Sequence, residues 1–108
     1  MQDVLEGLYK VAEGRKAEPQ EGSYTCYLFE QGLDKILKKC GEECSEVIIA
    51  AKNGVQEETV GEICDLLYHL IVMMVDQGIP MEEVEKVLEE RRQKIGNLKK
   101  FHVSDHNS

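Results

Sequence analysis

Two short stretches of this 108-residue chain carry carboxylates at a spacing suited to chemistry. Glu42, Glu43 and Glu46 fall in the first, and Glu62 and Asp65 in the second. Glu43/Glu46 and Glu62/Asp65 are i,i+3 pairs, which an α-helix carries on one side. An oxygen-only donor set favours a hard cation, magnesium with manganese as a substitute, over zinc or copper. A metal held by carboxylates and water is the usual arrangement for handling phosphates. Lys35, Lys38, Lys39 and Lys52 stand close enough in sequence to help neutralise a polyphosphate. Neither GxxxxGK[ST] nor GxGxxG occurs, so the glycine-rich phosphate cradles are missing. His69 could orient a carboxylate or touch a substrate, but a satisfied core histidine is the commoner case. The plain alternative for the first stretch is a solvated face on which Lys38 and Lys39 pair with the glutamates at helical spacing.

These side chains need rods to hold them, and the periodicity supplies helices. Apolar residues recur every three or four positions along the chain, with only two prolines, so the fold class is all-α. Val4, Leu5, Leu8, Val11 and Ala12 mark a first helix closing near Gly14, followed by a loop over Arg15 to Gly22. Ser23 is the expected N-cap of a short helix through Phe29, stopped at Gly32. A long helix spans Leu33 to Lys52 and stops at Asn53-Gly54; another spans Glu57 to Asp76 and stops at Gly78. Pro80 opens a last helix, Met81 to Ile95.

Residues 1–95 thus read as a single domain, and 96–108 as a flexible tail. The short link between the two long helices demands an antiparallel hairpin, which sets the two acidic pairs at matching heights. With Ile36 at 0°, Leu37, Cys40, Cys44, Val47, Ile48 and Ala51 fall within about 20° to 120°, the expected core face. Glu43, at about 340°, projects at its margin, where a carboxylate is costly unless paired or bound to a cation. The second hairpin helix is apolar on nearly every side, as a buried helix would be, with one polar stripe holding Glu62, Asp65, His69 and Asp76.

Composition removes several classes of function. Hydrophobic residues at 42% are enough to build a core, so the chain is neither a disordered acidic tract nor collagenous. A formal charge of −8 opposes binding to nucleic acid or anionic lipid. Leu66 to Val75 is too short to span a bilayer, and the first residues lack a secretory pattern, so a cytoplasmic location is expected. Cys26, Cys40, Cys44 and Cys64 contain no C-x-x-C pair and read as reduced, buried small hydrophobes.

The run GSYTCYLFEQGLDKILKKCGEECSEVIIAAKN, followed by GEICDLLYHLIVMM, resembles the phosphoribosyl-ATP pyrophosphatases of histidine biosynthesis. These belong to the MazG-like superfamily of all-α nucleotide pyrophosphatases. The likeness covers about Leu5 to Arg92. GEExxE at Gly41–Glu46 and ExxD at Glu62–Asp65 suggest the superfamily; the SYT segment, the KK before GEE and the AAKN ending point to this member. The resemblance implies magnesium-dependent hydrolysis of 1-(5-phosphoribosyl)-ATP between its α and β phosphates, giving 1-(5-phosphoribosyl)-AMP and pyrophosphate. It places the metal-ligand motif on Glu43, Glu46, Glu62 and Asp65, phosphate contacts on Lys39 and Lys52, and Tyr24 and Thr25 on the substrate side. Glu42 or Glu46 would position or deprotonate the water, and the sequence does not separate them.

A monomer of four to five helices cannot cover so apolar a central helix, so completion of the bundle by a homodimer is expected. The resemblance implies the same, with active sites near the interface. The competing functions are a house-cleaning nucleotide pyrophosphatase of the same superfamily and a non-catalytic helical dimerisation module.

Overall fold

Helix ends fall where glycine, serine and proline permit them. The computed structural model describes residues 2–94, with side chains from residue 4 onward. The expected flexible tail, 96–108, and the expected helix end at Ile95 lie outside the described residues. The elements are α1 (Gln2–Ala17), α2 (Tyr24–Gln31), α3 (Leu33–Asn53), α4 (Gln56–Gln77) and α5 (Met81–Gln93). No strand occurs among the described residues, so the chain is all-α as its periodicity predicts.

Ser23 caps α2 as expected, its hydroxyl accepting the Cys26 N–H at 3.2 Å. Gly54, at φ 79°, ends α3 in the left-handed conformation that glycine tolerates best, and only Gly54 and Val55 separate α3 from α4. So short a link folds the two long helices into the expected antiparallel hairpin.

The first helix does not close near Gly14. It continues to Ala17, with Glu18 N–H donating to the Gly14 carbonyl at 2.8 Å. Tertiary contacts hold this extra turn: the Lys16 ammonium lies 3.7 Å from Asp76 Oδ1 and 5.6 Å from the centre of the Phe29 ring. Those contacts outweigh the helix cost of one glycine, about 1 kcal/mol. A methyl at Gly14 would meet nothing within 4 Å. Gly14→Ala is therefore expected to stabilise the protein by about 0.5–1 kcal/mol, read as a higher urea midpoint at unchanged slope.

The core has two centres that share Phe29 and Met73. Leu28, Ile36 and Val72 form one; Ala12, Ile71, Met74, Val75 and Met81 form the other. The second half of α4 supplies Ile71, Val72, Met74 and Val75 and lies in the middle of the molecule. Tyr9 ties α1 to the turn before α5 by donating its hydroxyl proton to the Ile79 carbonyl at 2.9 Å.

Two sequence expectations about burial are corrected. The predicted core face of α3 is largely uncovered: Leu37, Cys44, Ile48 and Ala51 are exposed, while Cys40 and Val47 are half-buried. The face packed inside the chain lies further round, at Ile36 and Ala50, with Glu43 between them on the helix surface. The fully buried α4 is also only half right, because Val60, Ile63 and Cys64 at its hairpin end are exposed. The other three helices cover only the far half of α4. The cysteines follow the same division: all four are free thiols, yet only Cys26 is buried and Cys44 and Cys64 are exposed.

Candidate active site

The hairpin brings three of the predicted carboxylates to one point. Glu43 from α3 and Glu62 and Asp65 from α4 each offer an oxygen within 4.8 Å of the others. Glu43 and Glu62 are half-buried and Asp65 is exposed, so the cluster opens to solvent on one side. Close approach of like charges leaves a mark on Glu62. Its carboxyl is held above the ordinary carboxylate range, first by desolvation, then by repulsion from Glu46, Asp65 and Glu43, and last by a hydrogen bond with Glu43. A group raised in the folded state favours folding below its unfolded pKa, and that contribution is lost as pH rises through the folded value. At neutral pH the cluster therefore opposes the fold, and a divalent cation would relieve it. An all-oxygen donor set of this size suits magnesium or manganese.

Glu46 stands outside this trio. Its charge reaches Glu62, but the side chain is exposed and supplies no oxygen to the three-way cluster. Three residues advance a helix by about 300°, so Glu46 is turned about 60° from Glu43 around α3. Glu42 is exposed and engaged with Lys39, whose ammonium lies 3.3 Å from Glu42 Oε1 and 3.9 Å from Glu43 Oε1. Lys39 is half-buried and held above its ordinary value, chiefly by the hydrogen bond to Glu42. Lys52 is exposed and nine residues beyond Glu43 on α3, about 13 Å along the axis. The structure does not bring it to the trio.

One turn along α4 from Asp65, the start of α2 meets α4 through an aromatic cluster. The Tyr24 hydroxyl lies 3.0 Å from His69 Nε2, and Thr25 Oγ1 is hydrogen-bonded to the Tyr68 hydroxyl. Tyr24 packs against Tyr27 and Tyr68 with ring centres 6.0 and 6.2 Å away, and edge-on to His69 at 5.7 Å. Desolvation is the main cause of its raised pKa, opposed by nearby Lys39 and reinforced by Tyr68 and Glu43. Tyr24 is thus within electrostatic reach of the acid cluster. His69 is 5% exposed and hydrogen-bonded at both ring nitrogens, the satisfied core residue that is the commoner expectation. Sequence reasoning missed Tyr68, which is indistinguishable in periodicity from its aliphatic neighbours.

Residues 5–92 match the family described as phosphoribosyl-ATP pyrophosphohydrolase. The chain belongs to that family. Among its relatives is a phosphoribosyl-ATP pyrophosphatase of Clostridium botulinum (strain Hall), 59% identical over 97 residues, covering 90% of this chain and 88% of the relative. Another, from Streptococcus sanguinis (strain SK36), is 53% identical over 103 residues, covering 95% and 99%. A third, from Clostridium novyi (strain NT), is 50% identical over 97 residues, covering 90% and 88%. As a member of the phosphoribosyl-ATP pyrophosphohydrolase family this chain is an enzyme, a hydrolase, which removes the non-catalytic module from the alternatives. No helix among the described residues is long and apolar enough to cross a membrane.

Proposed function

We propose that this chain hydrolyses 1-(5-phosphoribosyl)-ATP between its α and β phosphates, releasing 1-(5-phosphoribosyl)-AMP and pyrophosphate, the second step of histidine biosynthesis, in the cytoplasm. The observation that carries this reading is the convergence of Glu43, Glu62 and Asp65 within 4.8 Å, in a chain of the phosphoribosyl-ATP pyrophosphohydrolase family. Those three side chains would hold magnesium, or manganese in its place, with Glu46 as a neighbour of Glu62. A cation held there would neutralise charge on the phosphate oxygens.

The protein's own groups supply the rest. Glu46 is the better candidate to take the proton from the attacking water, because it is accessible and Glu42 is paired with Lys39. Oxygen of that water bonds to phosphorus, and the bridging P–O bond breaks with its electrons on pyrophosphate. Lys39 stands beside Glu43, where a phosphate could draw it from its acidic partners. Tyr24 and Thr25 would line the substrate side. Lys52, remote from the trio, would reach only a distal part of the substrate. The active form is proposed to be a homodimer that covers the exposed apolar end of α4 at Val60 and Ile63.

A coupled pyrophosphate assay with authentic phosphoribosyl-ATP tests the reading. Release is expected to require magnesium and to exceed that from dCTP or dUTP. Preference for those triphosphates would establish the house-cleaning alternative, and no release from any of them would end the proposal. Because Glu62 is unfavourable when ionised, magnesium should also raise Tm more at pH 7.5 than at pH 5.

A further inference from the structure

His69 Nδ1 lies 2.7 Å from the main-chain oxygen of Asp65, one turn earlier on α4. A carbonyl only accepts, so Nδ1 carries a proton, and with the ring in its Nδ1–H tautomer Nε2 presents a lone pair. To that tautomer the Tyr24 hydroxyl, 3.0 Å from Nε2, is the donor. With its one proton committed, the Tyr24 oxygen keeps only acceptor capacity. It can receive a hydrogen bond from an ammonium or a substrate hydroxyl, but it cannot donate to a phosphate oxygen. The hydroxyl's alignment is fixed from behind by a ring whose other nitrogen is tied to the backbone of the acidic pair's own helix. The Thr25–Tyr68 hydrogen bond makes a second link between the same two helices, next in sequence to the first on both sides. The edge-on contact of Tyr68 with His69, ring centres 5.1 Å apart, leaves the imidazole little room to turn.

We propose that His69 is a positioning residue for the reaction: it locks the Tyr24 hydroxyl as an acceptor on the substrate side, and through it holds the first turn of α2 within electrostatic reach of Lys39 and Glu43. This rests on the activity proposed above. His69 itself touches neither the carboxylate oxygens nor substrate. Its effect belongs in substrate affinity, because what it aligns is a binding wall and not the attacking water.

Three variants test this by steady-state pyrophosphate release. His69→Phe keeps an aromatic ring but loses both hydrogen bonds, and is expected to raise KM for phosphoribosyl-ATP about tenfold while kcat stays within about twofold. His69→Gln, whose side-chain carbonyl can accept from Tyr24 in place of Nε2, should recover most of that loss. Tyr24→Phe, at a side chain exposed enough to tolerate the change, should raise KM similarly and add less than about twofold when combined with His69→Phe. An unchanged KM in His69→Phe, or effects of the two substitutions that multiply, would overturn the proposal; so would a fall in kcat and Tm alone, the mark of a merely structural residue. Nitrogen-15 NMR of the wild-type imidazole needs no substrate and separates this inference from the proposed activity. It should show the Nδ1–H tautomer, and an Nε2–H tautomer would refute the clamp even in a fully active enzyme. Loss of activity in the wild type with the Nδ1–H tautomer present would count against the activity and not against the clamp.

Discussion

Glu43→Gln is expected to abolish magnesium-dependent pyrophosphate release while helicity by circular dichroism stays near wild type. The side chain is 13% exposed and lies on the α3 surface between Ile36 and Ala50, which are both buried. Glutamine fills the same volume, so packing is conserved and the charge alone is removed. Of the trio, Glu43 is the only member from α3, which makes it the one group that closes the site across the hairpin. Loss of groups that merely support metal ligands typically costs up to about a hundredfold. Loss of a proposed ligand should exceed that. Calorimetry should show weaker magnesium binding in the variant, and Glu62, relieved of one repelling charge, should titrate closer to an ordinary glutamate. Full activity in Glu43→Gln would remove Glu43 from the metal site. Glu42→Gln offers the contrast, since Glu42 is exposed and serves Lys39, and its loss should be milder.

The second large effect is expected at Val60→Asp. Val60 is 51% exposed in the single chain, so an aspartate there would cost the isolated subunit little. In the proposed dimer the position is covered, and twofold symmetry presents the substitution twice. Fully burying a valine is worth about 1.5–3 kcal/mol and about half of that remains to be gained on association, so two copies weaken it by about 1.5–3 kcal/mol, or roughly 10 to 10² in Kd. Desolvation of the new charges adds to this. Sedimentation velocity at micromolar concentration should find a wild-type dimer and a folded Val60→Asp monomer. The monomer should also turn over slowly, because the family resemblance implies active sites near the interface. A compact wild-type monomer at that concentration would overturn the dimer.

The hairpin and its acidic pairs were legible because both depend on local rules. Gly54 and Gly78 stop helices through their own backbone freedom, Ser23 caps one through its own hydroxyl, and i,i+3 spacing sets neighbouring carboxylates on one side of a rod. Gly14 misled for the complementary reason. Its local preference is to end a helix, and contacts from Lys16 to Asp76 and Phe29 override it. Burial was the least legible property. Periodicity shows that Leu37, Cys44, Ile48 and Ala51 share a stripe, but not whether the chain itself possesses anything to cover them.

Helical period, chain stops and charge placement are encoded within a few residues, so the sequence by itself determined an all-α chain, its central hairpin and the approach of acids from two helices. Tertiary structure decided which acids meet: Glu43, Glu62 and Asp65 converge while Glu46 is turned aside. It also decided that Lys39 is shared between Glu42 and Glu43, and that Tyr24 and Thr25 are fastened to His69 and Tyr68 more than forty positions away. Such pairings depend on rotation and height of one packed helix against another, and no local spacing carries that information.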